Sequence, residues 1–321
     1  MAAAATTLVP ATPAIAAEST SSAGIGSSVL PIGIETSFEV FDRTTGETTV
    51  AFDSHKQYRS ASVVKLLIAL DYLEGLGEDF RVPPEDLAQL QPMLRSSDDT
   101  AASYFWVKNG WEEIVERMVA KLDLTDTAPP ADRGQWGYTA ISASDVVKIY
   151  RYILDDASPQ VRSIIMDNLR QSTKCGNDGF DQYFGIARAA PPPWAIKQGW
   201  SGFGDAPSIP CTPANPLPPD PFDEAPVQAD NAATPDVLAD VSQDGIPSVS
   251  ARDSTESAGP DIDVNKAAMH TTGTLGEDND TIVVVLTLEP SNTSWDESAQ
   301  RISLITKGVL GASSLDILAS S

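Results

Sequence analysis

The patterned part of the chain opens with two short β-like segments. Residues 37–42 (SFEVFD) alternate apolar and polar side chains, residues 48–52 (TTVAF) are rich in β-formers, and Thr44-Thr45-Gly46-Glu47 between them reads as a turn. Together they predict a β-hairpin. The period then changes. Val64, Leu67, Ile68 and Tyr72 recur at helical spacing within 61–76, with Ser60 placed to cap that helix. Further helices are predicted over 100–108, 111–122, 143–154 and 159–169, the last opening with Ser158-Pro159, a cap followed by a proline in the first turn. After Pro191-Pro192-Pro193 the pattern returns to strands over 194–200, 266–275 and 281–288. The last of these (TIVVVLTL) is a nearly continuous apolar run, as a strand covered on both faces would be, and is expected at the centre of a sheet. An amphipathic helix over 294–309 follows, with Ile302, Ile305 and Val309 on one stripe.

This order of two strands, a helical block, three strands and a helix implies the α+β class. A hairpin is not stable alone in water. The economical solution is one antiparallel β-sheet of about five strands drawn from both chain ends, flanked by helices, with an all-helical lobe inserted in the middle. The expected division is 36–57 with 190–204 and 266–321 for the sheet lobe, and 58–189 for the helical lobe. A cleft between two lobes is the natural place for a site.

Charge and proline content refine the picture. The 321 residues include 45 acidic and 21 basic side chains, a formal net charge of −24. That balance opposes phosphate backbones and anionic lipid, so nucleic acid is not an expected partner. No run of about 18 apolar residues occurs, so no integral membrane segment is expected. The acidic excess is concentrated in 205–265, which holds 12 acids, a single base (Arg252) and 11 of the 24 prolines. This is the composition of a disordered insertion. Residues 1–17 are alanine-rich and Ala14-Ile15-Ala16 resembles a signal-peptidase site, although the first basic residue is Arg43. The stretch 1–35 is therefore read as an export-signal remnant and a Ser/Gly/Ala-rich tether, which points to a secreted or cell-envelope protein. Cys175 and Cys211 are the only cysteines. In an exported protein they pair or remain two thiols, and spacing alone leaves both open. With two cysteines and two histidines, structural zinc and a Ser-His-Asp triad have little material, and no metal or organic cofactor is expected.

Three short motifs carry candidate chemistry. In Ser62-Val63-Val64-Lys65 the serine and lysine lie three apart near the start of a helix, hence on one face. A serine hydroxyl is a weak nucleophile until a base takes its proton, and lysine is such a base when burial or a neighbouring cation lowers its pKa. Ser97-Asp98-Asp99-Thr100 precedes a helix and also reads as an ordinary N-cap. Lys197-Gln198-Gly199 sits on the strand 194–200, where glycine lets a ligand lie against the backbone; a solvated edge-strand lysine is the plainer alternative.

In this order and on these elements, the three motifs resemble the Ser-x-x-Lys, Ser-Asp-Asn and Lys-Thr-Gly set of the class A β-lactamase and penicillin-binding protein superfamily. The resemblance runs from about Thr36 to Gly311 without the acidic insertion. Thr139-Ala140-Ile141-Ser142 before a helix and Leu275-Gly276 entering the last strand are similar in placement. It implies a β-lactamase/transpeptidase-like fold and a monomeric serine hydrolase acting on a β-lactam or a peptidoglycan-like D-alanyl peptide. Ser62 would be the acylated nucleophile, Lys65 its base, Ser97 a proton shuttle and Lys197 a positive charge beside them. Gln198, Gly199, Trp200 and His270 would meet the substrate, with the backbone N–H groups of Ser62 and Trp200 as an oxyanion hole.

Three departures bear on rate. Asp99 replaces the family's asparagine, and a carboxylate beside Lys65 favours the ammonium form, which cannot accept a proton. Gln198 replaces the threonine that binds a substrate carboxylate. The loop 123–138 contains no glutamate to activate a deacylating water, only Asp123, Asp126 and Asp132. Slow deacylation is therefore expected, with Asp99 a candidate for the water-activating role. Three functions remain open: a turning-over hydrolase, an acylated but slow lactam detector, and a catalytically impaired cell-envelope binding protein. Trp200 and Phe203 are candidates for the cleft mouth.

Overall fold

The computed structural model describes residues 33–213, 260 and 262–320. The export-signal remnant and most of the acidic insertion lie outside the described residues. β1 (Glu35–Asp42) and β2 (Glu47–Phe52) form the expected hairpin, with Asp42 Oδ1 accepting the Thr44 N–H in the turn at 2.7 Å. The chain continues through β3 (Tyr58–Arg59), a 3-10 turn (Ala61–Val64), α1 (Lys65–Gly75), α2 (Pro84–Arg95), α3 (Asp99–Lys108) and α4 (Glu113–Leu122). A second 3-10 turn (Trp136–Tyr138), β4 (Ala140–Ile141), α5 (Ala143–Arg151), a π-helical turn (Tyr152–Asp156), α6 (Pro159–Arg170) and α7 (Ile186–Ala189) follow. β5 (Trp194–Ser201), β6 (Ala268–Leu275), β7 (Thr281–Leu288) and α8 (Trp295–Ser320) complete the order.

Five strands build one antiparallel sheet in the order β2-β1-β7-β6-β5, so both chain ends contribute to it and the class is α+β as expected. β7 is its central strand. Ile282, Val284, Leu286 and Leu288 face the core shared with the helices, while Val283 and Val285 face the core shared with α7 and α8. Both faces are covered, which is why the strand reads as one apolar run. Each such side chain contributes about 1.5–3 kcal/mol relative to exposure.

The helical block differs from the sequence pattern in two places. The helix predicted over 61–76 begins as a 3-10 turn, and Ser60 does not cap it; Ser60 Oγ instead donates to the Gly137 carbonyl (3.3 Å) and the Ala61 carbonyl (3.2 Å). α1 is buried on every side from Lys65 to Leu73, so its apolar residues do not form a single stripe. The pattern does not predict α2, which Pro84 opens, because Pro92 lies within it. α2 is fixed from below by buried Asp86, which accepts hydrogen bonds from Tyr72, Tyr104 and Lys108 at 2.5, 2.7 and 2.6 Å. The cap Ser158 and first-turn Pro159 of α6 are as expected, Ser158 Oγ accepting the Val161 N–H at 3.3 Å.

Cys175 and Cys211 are joined in a disulfide with Cα atoms 5.5 Å apart. The bridge, with a Cys211 N–H bond to the Gly179 carbonyl (2.8 Å), ties the segment after β5 to the loop before α7. Among the described residues no helix is long and apolar enough to cross a membrane.

The loop between α4 and β4 hangs on buried Asp145, whose carboxylate accepts from Thr125 N–H (3.1 Å), Asp126 N–H (2.8 Å) and Thr127 Oγ1 (2.8 Å). Asp145→Ala leaves those donors without a partner, and a loss of about 3 kcal/mol is expected in urea unfolding. A loss under about 0.5 kcal/mol would contradict this.

Candidate active site

The site is assembled where the turn after β3, the start of α3 and strand β5 meet. Ser62 lies in the 3-10 turn and Lys65 is the first residue of α1, so the two share a face: Lys65 Nζ is 2.8 Å from Ser62 Oγ. The same nitrogen is 2.6 Å from the Ser97 carbonyl, 3.2 Å from Ser97 Oγ and 2.6 Å from Asp99 Oδ1. Lys197 Nζ reaches Ser97 Oγ from the other side at 2.8 Å. The side chains of Ser62, Lys65, Ser97, Asp99 and Lys197 are thus brought together, as the motifs imply.

Local backbone makes this possible. Ser97 has φ +58° and Ala61 φ +44°, both in the left-handed region that non-glycine residues avoid. The Ser97 conformation turns its carbonyl and its hydroxyl toward the same amine. Asp98 is also the N-cap of α3, accepting the Ala101 N–H at 2.9 Å. The cap reading and the chemical reading of this motif therefore both hold, on adjacent residues. Gly199 eases a close approach: a Cβ there would lie 3.0 Å from the Ser60 carbonyl and 3.3 Å from the Ser62 nitrogen. A side chain at that position would crowd the Ser62 turn against β5.

Lys65 and Lys197 are both fully enclosed, so Lys197 is not the solvated edge-strand lysine, although β5 is an edge strand. Burial lowers the Lys65 pKa from its ordinary 10.5, and the Asp99 carboxylate opposes that shift. Lys197 is driven well below the ordinary lysine range, first by burial and then by the charge of Lys65. Two buried amines sharing one hydroxyl disfavour a second positive charge. The Lys65 nitrogen also sits 5.0 Å from the centre of the Trp136 ring.

Beside Ser62 opens a cleft of about 490 Å³. Its walls include Asp99, Trp200 and Phe203, with Trp136 and Tyr138 from the second 3-10 turn. Asp178 and Asp205 also line it, and Trp200 Nε1 donates to Asp178 Oδ2 at 2.8 Å. Neither Asp178 nor the Trp136–Tyr138 wall is singled out by the sequence motifs. The cluster Gln135-Trp136-Gly137-Tyr138 and the closeness of Asp178 to Cys175 are the only signals for them.

Two expected substrate contacts are corrected. Gln198 alternates to the far side of β5 from Lys197, is buried, and donates to the carbonyls of Phe184 (2.7 Å) and Gln182 (3.2 Å). His270 pairs with Gly199 across β5 and β6 and is fully buried. Its Nε2 meets the Arg59 carbonyl at 2.8 Å and its Nδ1 meets the Thr287 N–H at 3.2 Å. One partner only accepts and the other only donates, so the ring is the neutral Nε2–H tautomer. It is neither a surface histidine nor a cation for substrate; it holds the backbone that leads into Ser62. The loop carboxylates also stay away from the cleft. Asp126 pairs with His55 and Ser142 (2.8 Å each), and Asp132 accepts the Gly134 N–H at 2.9 Å. Among the described residues no cluster of three or more His, Cys, Asp or Glu side chains could hold a metal ion.

Comparison with known proteins identifies the fold. The structure is similar to that of a class A β-lactamase from Mycobacterium abscessus, with a TM-score of 0.52 over 87% of this chain and 93% of that one, at 14% identity. The fold is β-lactamase-like. In sequence the chain is 40% identical over 174 residues to proteins named "Putative lipoprotein LppW" in Mycobacterium tuberculosis and Mycobacterium bovis, a match that covers 53% of this chain and 55% of theirs. The chain therefore spans about half the length of the curated relatives it matches. No family model matches it.

Burial depresses the His270 pKa from 6.5 to about 4. The unfolded chain binds this proton at higher pH than the folded chain does. The stability held by the neutral ring is thus complete above about pH 6.5 and lost as pH falls toward 4, a difference of about 3 kcal/mol. NMR is expected to show the His270 ring unprotonated at pH 5, and a ring that titrates near 6.5 would contradict the assignment.

Proposed function

We propose that the protein is a serine hydrolase that works by acyl transfer through Ser62, with slow deacylation. The observation that carries this reading is the chain of contacts Ser62–Lys65–Ser97–Lys197, closed by distances of 2.8 Å, 3.2 Å and 2.8 Å from three separate elements. A nucleophile, a base within hydrogen-bond reach and a group that orients the base are the parts such catalysis requires. Lys65 in its neutral form takes the Ser62 proton as Oγ attacks a carbonyl carbon. The Ser97 hydroxyl, held between two amines, passes a proton to the leaving nitrogen or oxygen. The N–H groups of Ser62 and Trp200 flank Gly199, the point of closest approach, and would receive the developing oxyanion. A β-lactam or D-alanyl peptide carbonyl is the substrate type the fold suggests.

Deacylation needs a base for water, and the loop carboxylates are turned away from the cleft. Asp99 lines the cleft with its side chain 68% exposed and one oxygen on Lys65. It is positioned both to hold Lys65 charged, which slows acylation, and to activate water, which completes turnover. The disulfide and the lipoprotein name of the relatives support a place outside the cytoplasm, at the cell envelope.

A second reading has its own support. Lys65 Nζ meets Ser62 Oγ, the Ser97 carbonyl and Asp99 at once, which is how an ammonium ion bonds. If that proton never leaves, the protein is a catalytically impaired binding module of the envelope.

Intact-mass time courses with p-nitrophenyl acetate and a fluorescent penicillin separate the two. A lasting adduct is expected on the native protein and none on Ser62→Ala. Asp99→Asn is expected to acylate about tenfold faster for each pKa unit by which Lys65 falls, and to deacylate slower by on the order of a hundredfold. Absence of any Ser62-dependent adduct establishes the binding module instead, and unchanged rates in Asp99→Asn remove Asp99 from the mechanism.

A further inference from the structure

A substrate that carries a carboxylate near its scissile carbonyl needs a cation or a hydroxyl at the cleft wall. Gln198 and His270, which the motif resemblance assigns to that contact, are buried, with Gln198 Nε2 and both His270 ring nitrogens bonded to backbone groups inside the protein. Arg59 is likewise buried and committed, donating to Ser201 Oγ at 2.7 Å, to the Asp263 carbonyl at 2.6 Å and to the Lys266 carbonyl. Among the described residues no lysine or arginine lines the cleft. The two lysines behind it are enclosed and bonded to the serines.

The cleft wall carries the opposite chemistry. Asp99 is balanced by Lys65, while Asp178 and Asp205, both exposed, also line the cleft; among the described residues Asp178 accepts only from the neutral donors Trp200 Nε1–H at 2.8 Å and Phe180 N–H at 3.2 Å. Both are held by one covalent closure, since the Cys175–Cys211 bridge joins the turn that contains Asp178 to the segment that runs on from Asp205. Trp200 is set by its bond to Asp178 and by edge-on packing against Trp295 at 5.5 Å, and Phe203 packs edge-on against the same ring at 5.3 Å. Carboxylates beside fixed aromatic faces are the surroundings that recognise an organic cation. The net charge of −24 draws cations toward the protein and repels anions.

Resting on the acyl-transfer reading above but narrowing its substrate, we propose that the cleft selects acyl donors whose acyl part bears an ammonium, quaternary ammonium or guanidinium group, and discriminates against carboxylate-bearing ones, so that β-lactams and D-alanyl peptides react at Ser62 but are its slower donors. The cation lies between Asp178 and Asp205 and the Trp200 and Phe203 rings while the carbonyl meets Ser62. The Ser62 Oγ–acyl bond forms as the ester C–O or amide C–N bond breaks. The serine proton leaves through Lys65 and Ser97 to the departing group, and water then releases the cationic acid and restores Ser62.

The test uses the full chain with three p-nitrophenyl esters of matched shape, whose acyl chains end in trimethylammonium, tert-butyl or carboxylate. The kcat/KM for the cationic ester is expected to exceed that of the neutral one by about tenfold, and the anionic ester to fall below the neutral one by a similar factor. Both differences should shrink from low to half-molar salt. In the Asp178→Asn, Asp205→Asn double variant the cationic-to-neutral ratio should approach one. If the neutral ester acylates Ser62 in the native protein, with no adduct on Ser62→Ala, and the cationic ester is no faster, the selectivity is refuted and acyl transfer stands. A cationic preference that survives both high salt and the double variant also refutes it. If none of the esters acylates Ser62, both readings fall.

Discussion

A lysine amine with no access to solvent, holding two serines and one carboxylate, is the constraint on which the rest of the site depends. Lys65 is the first residue of a helix buried on all sides, and a charge in that position is costly unless it is paired and fully hydrogen-bonded. Its partners arrive from two elements, and each arrival asks something of the backbone. Ser97 adopts a left-handed conformation to present both of its oxygens, and Ala61 adopts one as the first residue of the turn that carries Ser62. β5 gives up a side chain at Gly199 so that Lys197 can be delivered behind Ser97. His270 fits opposite that glycine and supports the Arg59 carbonyl just ahead of the turn. The cluster is thus over-determined by its surroundings, which is how strained residues persist in a folded protein.

The balance of charge within it is narrow. Lys65 and Lys197 meet at one hydroxyl, so burial and mutual repulsion favour shedding a proton, whereas Asp99 favours keeping it. The carboxylate is on the solvent side, where water weakens it, so it moderates Lys65 without locking it. Under the proposed mechanism, one exposed side chain sets the rate of acylation at such a site. With the loop acids Asp126 and Asp132 bonded elsewhere, that same side chain is the cleft carboxylate bonded to Lys65, which is why the proposed mechanism gives it the water.

Elements with a clean period were legible in the sequence. The hairpin, the central β7 and the capped start of α6 all follow from local pattern, and so does the α+β order. α2 was hidden because Pro92 lies within a helix that its buried Asp86 network sustains. The all-round burial of α1 was hidden because Lys65 and Asp71 read as polar, and only tertiary partners explain their enclosure. The four-group cluster was legible only through the resemblance of three motifs taken together, since each alone also reads as an ordinary cap or a solvated lysine. The directions of Gln198 and His270 were not, since which face of an edge strand meets the cleft depends on what packs against it. Asp178 escaped notice because it enters from a turn whose position depends on the Cys175–Cys211 bridge and on Trp200, not on any local period.

The most direct test of this charge balance is the ionisation of Lys65 itself, followed by side-chain NMR with the signal assigned by its loss in Lys65→Arg. The amine should titrate below the ordinary lysine value of 10.5 in the native protein and lower still in Asp99→Asn. An amine that stays charged up to that value in both proteins would contradict its role as a base.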